Sequence, residues 1–276
     1  MLIAQLTDTH IRAKGQLAYG CVDTAGFLKA AVAHLNGMPH QPEAVLITGD
    51  LAETGTEEEY AHFCDLVAPL KAPILPIPGN HDDRDTFARM LRPMAPMLPK
   101  SGDLSYAVDI GGLRLLLIDS MVPGQAHGDI GDDRLAWLDR QLSVQPVMPA
   151  LVALHHPPFD TGIAKMDAHS CRNAPALEAV LLRHSHVLAT ICGHVHRTVL
   201  TTFAGKAASI APSPAHAIEL SLRPDAPLEF RLEPPGMHLH AWTPGAGSGR
   251  LITHHVPIGT FSGPHPFFEP GGRPVG

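Results

Sequence analysis

One small pattern recurs through the first 200 residues of this 276-residue chain: a short apolar run stops, and polar, ligand-capable side chains follow at once. It appears at Thr7-Asp8-Thr9-His10, at Thr48-Gly49-Asp50, and at Gly79-Asn80-His81-Asp82, which follows Leu75-Pro76-Ile77-Pro78. It returns at Leu154-His155-His156-Pro157-Pro158 and at Cys192-Gly193-His194-Val195-His196. The apolar runs are four to six residues long, the length of buried strands, and helical spacing occupies the segments between them. Strands alternating with helices build a parallel α/β sheet. The pattern therefore predicts strand ends that converge and hold two metal ions.

In chain order, the spacing predicts strands at 2–6, 44–47 and 74–77. Helices follow at about 24–35, 57–70 and from Asp83 or Asp85 to Leu91. Thr56 with Glu59 has the form of a capping box. Residues 104–110 and 113–118 flank Gly111-Gly112, a hairpin signal. A helix at 132–142, a strand at 149–154, a helix at 174–182 and a strand at 187–191 complete the alternating part. Beyond His196 only short strands are expected, at 199–203, 207–210, 217–222, 228–233 and 251–256. From Pro234 onward glycine and proline are dense, and 263–268 reads as an extended arm whose phenylalanines need a surface to cover.

Composition narrows the function. The net charge is −7 with no Lys/Arg stripe, which argues against a polymeric nucleic acid as partner. The longest apolar stretches, such as 113–118 with Arg114 inside it, are too short to cross a bilayer. No membrane role and no signal peptide are expected. Cys21, Cys64, Cys171 and Cys192 form no C-x-x-C pair and suit reduced thiols in the cytoplasm. Histidine is abundant, with 19 copies, and its positions matter more than its number. His238 and His240 belong to no motif, and a surface role is expected for them.

Asp-x-His and His-x-His at strand ends put two donors on one side through strand alternation. Carboxylate with imidazole suits Mn, Fe, Zn or Co rather than Ca or Mg. Asp50 stands where a carboxylate can bridge two cations, and Asn80 offers one neutral, weakly binding oxygen. Two divalent ions balanced by Asp8, Asp50 and a bridging hydroxide leave one positive charge, which favours a phosphodiester anion. Metals about 3.5–4 Å apart are the usual arrangement for in-line phosphoryl chemistry.

With those segments in order, the chain resembles the calcineurin-like metallophosphoesterase family, most closely its bacterial class III phosphodiesterases. The family pattern D-x-H, G-D, G-N-H-D, H and G-H-x-H is matched over about the first 200 residues, and Tyr19-Gly20, His155-His156-Pro157-Pro158 and His216 match further. The resemblance implies a four-layer αββα sandwich with a C-terminal β-rich extension. Residues 1–200 would form the catalytic core, 201–233 the strands completing the second sheet, and 234–276 a lid or oligomerisation arm. It implies that Asp8, His10, Asp50 and His196 hold one metal and that Asp50, Asn80, His155 and His194 hold the other. His81 would be the catalytic imidazole, with Asn80, His81 and His216 binding substrate and His156 standing behind the ligands. The activity implied is hydrolysis of 3′,5′-cyclic nucleotides or glycerophosphodiesters by a metal-bridging hydroxide, in a homo-oligomer. A phosphomonoesterase or nucleotide phosphatase is the first alternative. A non-catalytic metal-dependent binding protein is the second.

Overall fold

Three strand-then-helix units open the chain, and each helix starts where a side chain can satisfy its free amides. Strands β1 (Leu2–Leu6), β2 (Ala44–Thr48) and β3 (Ile74–Ile77) alternate with helices α1 (Thr24–Gly37), α2 (Glu57–Val67) and α3 (Arg84–Leu91). Asp23 accepts from the Gly26 amide, Thr56 and Glu59 form the expected capping box, and Asp83 accepts from the Thr86 amide. The computed structural model describes residues 1–245, 249–270 and 273–274.

The next segment runs β4 (Tyr106–Ile110), β5 (Leu113–Ile118), α4 (Asp132–Val144), β6 (Ala150–Leu154), α5 (Ala164–Asp167), α6 (Ala174–Leu182) and β7 (Val187–Cys192). The chain continues as β8 (Val199–Phe203), β9 (Lys206–Ile210), β10 (Ala217–Ile218), β11 (Phe230–Arg231), β12 (Gly236–Thr243) and β13 (Arg250–Pro257). These strands form a five-stranded sheet ordered β13-β12-β1-β2-β3, a six-stranded sheet ordered β4-β5-β6-β7-β9-β8, and the small pair β10-β11. Within the large sheets, β1, β2 and β3 are mutually parallel, as are β5, β6, β7 and β9.

Alternation along the strands shows how the layers stack. Leu115, Leu117, Leu151 and Ala153 join one core with Ile3, Leu6, Leu28, Phe63 and Phe87. Their neighbours Leu116, Ile118, Val152 and Leu154 join a second core with Leu138 and Leu142 of α4 and Leu177 and Leu181 of α6. Successive strand residues point to opposite faces. The second sheet is therefore covered by α4 and α6 on one side and by the first sheet on the other, and α1–α3 cover the first sheet. This is the expected αββα sandwich.

The C-terminal third departs from expectation. Strands β8 and β9 do complete the second sheet, but the strands expected at 217–222 and 228–233 shrink to two residues each and pair only with one another. The strand expected at 251–256 is present as β13, and it pairs with β12, where no strand was expected, in a long hairpin that extends the first sheet past β1. His238 and His240 lie on β12 and are buried, not on the surface. They face a polar seam between the sheets. Gln5 on β1 donates to Thr48 Oγ1 and to the Cys192 carbonyl, both at 3.0 Å, so its own Oε1 must accept from His240 Nε2, 3.1 Å away. That fixes the His240 tautomer and leaves its Nδ1 to accept from Thr253 Oγ1. Beyond β13 the chain is largely exposed, including Phe261, Phe267 and Phe268.

Burial pushes His240 down to about 3, with His238 beside it adding to the effect. Between that value and about 6.5, the ordinary histidine pKa, the unfolded chain binds a proton that the folded chain refuses. His240 therefore costs stability as pH falls below about 6.5, with a slope approaching about 1.4 kcal/mol per pH unit. Denaturant unfolding of wild type and His240→Gln from pH 7.5 to 5, at one saturating metal concentration, should show a steeper loss in wild type. Equal slopes would contradict the assignment.

Candidate active site

All five polar segments begin where a parallel strand stops, at Leu6, Thr48, Ile77, Leu154 and Cys192. The loops stay paired beyond the strands. The amides of Asp8 and His10 donate to the carbonyls of Gly49 and Asp50 at 3.0 Å, and Gly193 N donates to His155 O at 3.0 Å. Strand alternation is not what brings Asp8 and His10 together. Both lie past the end of β1 in the left-handed region, with φ of 54° and 45°. Asp50 (52°), His194 (73°) and His196 (57°) share that conformation. It costs a residue with a Cβ about 1–2 kcal/mol, and such strain concentrates at functional sites. Only two other non-glycine residues among those described have positive φ, Tyr19 and Ala204.

Among the described residues the donors form four overlapping groups, two at the centre and two beside it, His10 with His196 and His216 and His10 with Glu53 and His81. At the centre the membership is as follows. Asp8, His10, Asp50 and His196 offer donor atoms within 4.8 Å of one another, as do His155, His156 and His194. Asp50 Oδ2 lies 3.7 Å from His10 Nε2 and 3.2 Å from His155 Nε2, so it touches both central groups. Three of the imidazoles are turned by their other nitrogen. His10 Nδ1 donates to Glu53 Oε2 at 2.8 Å, His155 Nδ1 to the Thr48 carbonyl at 2.8 Å, and His196 Nδ1 to the His216 carbonyl at 3.2 Å. Such bonds fix the tautomer and aim Nε2 inward.

Several buried atoms at the centre lack hydrogen-bond partners, among them Asn80 Oδ1, His156 Nε2 and His194 Nε2. His10 Nε2 and His196 Nε2 face each other at 3.2 Å. Orphaned buried acceptors are costly unless something else satisfies them. Two carboxylates, four imidazoles and an amide oxygen are the donor set of a divalent metal centre. The charges agree. Burial pushes Asp8 up to about 6, with the Asp50 carboxylate adding to the push. Asp50 is held well below the carboxylate range against its own burial, by His155 and His81. Burial and the neighbouring His155 push His194 down to about 3, so its ring is neutral with a lone pair free near pH 7.

His81 stands beside this centre. Its amide donates to Asp50 Oδ1 at 2.9 Å, and its Nδ1 donates to the Glu53 carbonyl at 2.8 Å. Asp82 braces the loops by accepting from the amides of Leu51, Ala52 and Gly79 and from the Tyr60 hydroxyl. His156 is buried and hydrogen-bonds Ser120 Oγ through Nδ1 at 2.9 Å. A cavity of about 430 Å³ opens above Asp50, Asn80, His81, His194 and His216, walled by Tyr19, Met166, Ile218, Leu228 and Phe230. His216 packs its ring 4.5 Å from that of His196 and 5.4 Å from that of His10. Glu53, which no motif contains, and the apolar wall from 218 to 230 escaped the reading of the sequence. The only signal for Glu53 is its place three residues after Asp50.

The model of the calcineurin-like phosphoesterase family matches residues 1–198. This chain belongs to the calcineurin-like phosphoesterase family. A protein of Arcobacter nitrofigilis named probable glycerophosphodiester phosphodiesterase is 37% identical over 99% of both chains. The 3′,5′-cyclic adenosine monophosphate phosphodiesterase of Escherichia coli K12 is 34% identical over 76% of this chain and 75% of its own. The fold also resembles solved structures, among them a dimetal phosphatase from Danio rerio, with a TM-score of 0.61 at 15% identity over 94% of this chain and 99% of that one. In this calcineurin-like phosphoesterase no described helix is long and apolar enough to cross a membrane.

Gly193 exposes how tightly the centre is assembled. A Cβ there would overlap Thr7 Oγ1 and stand 2.8 Å from the Thr48 carbonyl and 3.0 Å from Asp8 Oδ2. Gly193→Ala should destabilise the fold by about 1–3 kcal/mol and lower the metal content of purified protein. Thermal unfolding and elemental analysis check both.

Proposed function

We propose that this chain is a binuclear-metal phosphodiesterase acting on small phosphodiesters, either 3′,5′-cyclic nucleotides or glycerophosphodiesters. The observation that carries the reading is one shared carboxylate: Asp50 Oδ2 stands between His10 and His155 at the floor of the cavity. In this reading Asp8, His10, Asp50 and His196 hold one ion, and Asp50, Asn80, His155 and His194 hold the other. Mn, Fe, Zn and Co all suit such a donor set. When bound, the pair supplies an activated water and polarises the phosphoryl oxygen. His156, tied to Ser120, supports the ligands from behind.

The chain's own residues do the rest. Asn80 contributes a neutral oxygen, which leaves room for substrate. His81 has Nδ1 committed to the Glu53 carbonyl, so its Nε2 serves the phosphate and protonates the departing alkoxide. His216 lines the pocket beside the phosphate. Met166, Ile218, Leu228 and Phe230 receive the ester arm.

Charge favours a diester over a monoester. No Lys or Arg is among the described lining residues, and Glu229 adds a carboxylate. A phosphomonoester dianion would meet little besides the metals to balance its second charge. The names of the relatives support the same substrate class. Free Cys21, Cys64, Cys171 and Cys192 fit a cytoplasmic setting. The exposed Phe261, Phe267 and Phe268 fit a homo-oligomer in which a second copy covers them, and sedimentation velocity should show a species larger than the monomer.

Metal-reconstituted protein should prefer bis(p-nitrophenyl) phosphate, cyclic AMP or glycerophosphocholine to p-nitrophenyl phosphate. Preference for the monoester would overturn the diesterase reading. Asp50→Ala should lose both metal and turnover. His81→Ala should keep its metal while kcat falls by about 10²–10⁴-fold; loss of an ion in that variant would mean that His81 is a ligand.

A further inference from the structure

Three parts of the centre converge on one residue outside every motif. Glu53 Oε2 accepts from His10 Nδ1 at 2.8 Å and from the Tyr19 hydroxyl at 3.3 Å. The Glu53 backbone carbonyl accepts from His81 Nδ1 at 2.8 Å, and its Oε1 stands 4.0 Å from that same nitrogen. A ligand of the first metal, the general acid and the aromatic wall of the cavity thus share a single anchor.

We propose that Glu53 is the positioning residue that sets the first metal site and the catalytic imidazole in common register. A carboxylate and a carbonyl can only accept hydrogen bonds. Glu53 therefore forces a proton onto Nδ1 of His10 and onto Nδ1 of His81. The Nε2 lone pair of His10 is left facing Asp8, Asp50 and His196, and Nε2 of His81 is left for the substrate. The negative charge behind His10 also makes its ring a stronger donor toward a cation. Tyr19 donates to the same oxygen, and its ring lies 5.2 Å from that of His216 and 5.1 Å from that of Phe230. Displacement of Glu53 would disturb all three at once.

The backbone around Glu53 is held to make it a reliable anchor. Its amide donates to the Ile11 carbonyl at 3.1 Å, beside the bridge between Ile11 and Ala52. On one side Asp82 ties down the amides of Leu51 and Ala52. On the other, Glu59 accepts from the Thr54 amide at 2.8 Å and the Thr54 hydroxyl at 3.0 Å. Glu59 is fastened in turn by Arg12, 2.8 Å away. With the main chain fixed on both sides the carbonyl keeps its place, and the bonds from His10 and Tyr19 hold the carboxylate.

The inference rests on the ligand assignment proposed above, and its test reads the metal directly. Co²⁺ is titrated into the full chain, and its absorption and its competition with a chelator give the affinity of each site. Glu53→Gln keeps the shape and an acceptor oxygen but loses the charge. It should weaken one of the two sites by about 10–100-fold and leave the other within twofold. It should also lower kcat more than it raises KM. Glu53→Asp, which restores the charge on a shorter arm, should recover part of the affinity. Circular dichroism and thermal unfolding verify that each variant is folded, and Glu53→Ala serves if Glu53→Gln is not. A bracing role confined to the loop would shift the melting temperature and leave both affinities and the ratio of kcat to KM unchanged. Two-site binding in wild type with wild-type affinities in the variants overturns the role of Glu53 alone. A wild-type protein that takes up no ion overturns the ligand assignment and the proposal with it.

Discussion

A carboxylate with 2% of its residue surface exposed stays ionised only where something replaces the water it has lost. Asp50 is that carboxylate, and the structure around it reads as a set of replacements. The His81 amide donates to one of its oxygens, while His10 and His155 approach the other. Gly79 has no side chain because a Cβ there would overlap Asp50. Asp8 crowds in a second acid, and hydrogen bonds from the His194 amide at 3.0 and 3.1 Å hold it in place. The protein donors alone leave central acceptors without partners. A cation is the simplest object that answers both acids and the orphaned nitrogens together.

Holding these groups inward requires a backbone that most residues avoid. Asp8, His10, Asp50, His194 and His196 all sit in the left-handed region. The cost is offset by the cores on either side, whose parallel strands fix where each loop begins. The contributions also divide by sheet. Asp8, His10, Asp50 and Asn80 follow strands of the first sheet, while His155, His194 and His196 follow strands of the second. The centre lies across the seam, so whatever it binds is held by both halves of the sandwich.

Much of this was legible in the amino-acid order because local chemistry and global fold agree in the first 200 residues. The strand 74–77 and the helix 174–182 fall at their expected bounds, and Thr56 with Glu59 caps α2 as its spacing implies. Agreement fails where an element depends on a distant partner. Strand β12 carries His238 and His240 at buried positions, and its polar residues make sense only opposite Gln5 and Thr253. Strands β10 and β11 had apolar residues enough for longer runs, but they pair only with each other and keep two residues each. Asp8 and His10 turn inward from left-handed backbone rather than from strand alternation, and such a turn leaves no trace in a binary apolar pattern. Glu53 left none either, since its role lies wholly in what it touches.

The hairpin that closes the first sheet has a consequence for how the protein is made. Strand β1 is flanked on one side by β2, which follows early, and on the other by β12, whose Trp242 carbonyl accepts from the chain's own N-terminus at 3.1 Å. Ribosomes add about 5–20 residues per second. Roughly two hundred residues separate β2 from the end of β12, so the first strand emerges with one edge open for on the order of 10–40 s. During that time Gln5 lacks its histidine and the strand offers unpaired amides to any passing chain, the exposure that native sheets otherwise avoid. Strand β1 is thus sealed on its second edge only once β12 has been made, and its vulnerable interval is set by the length of chain between the two.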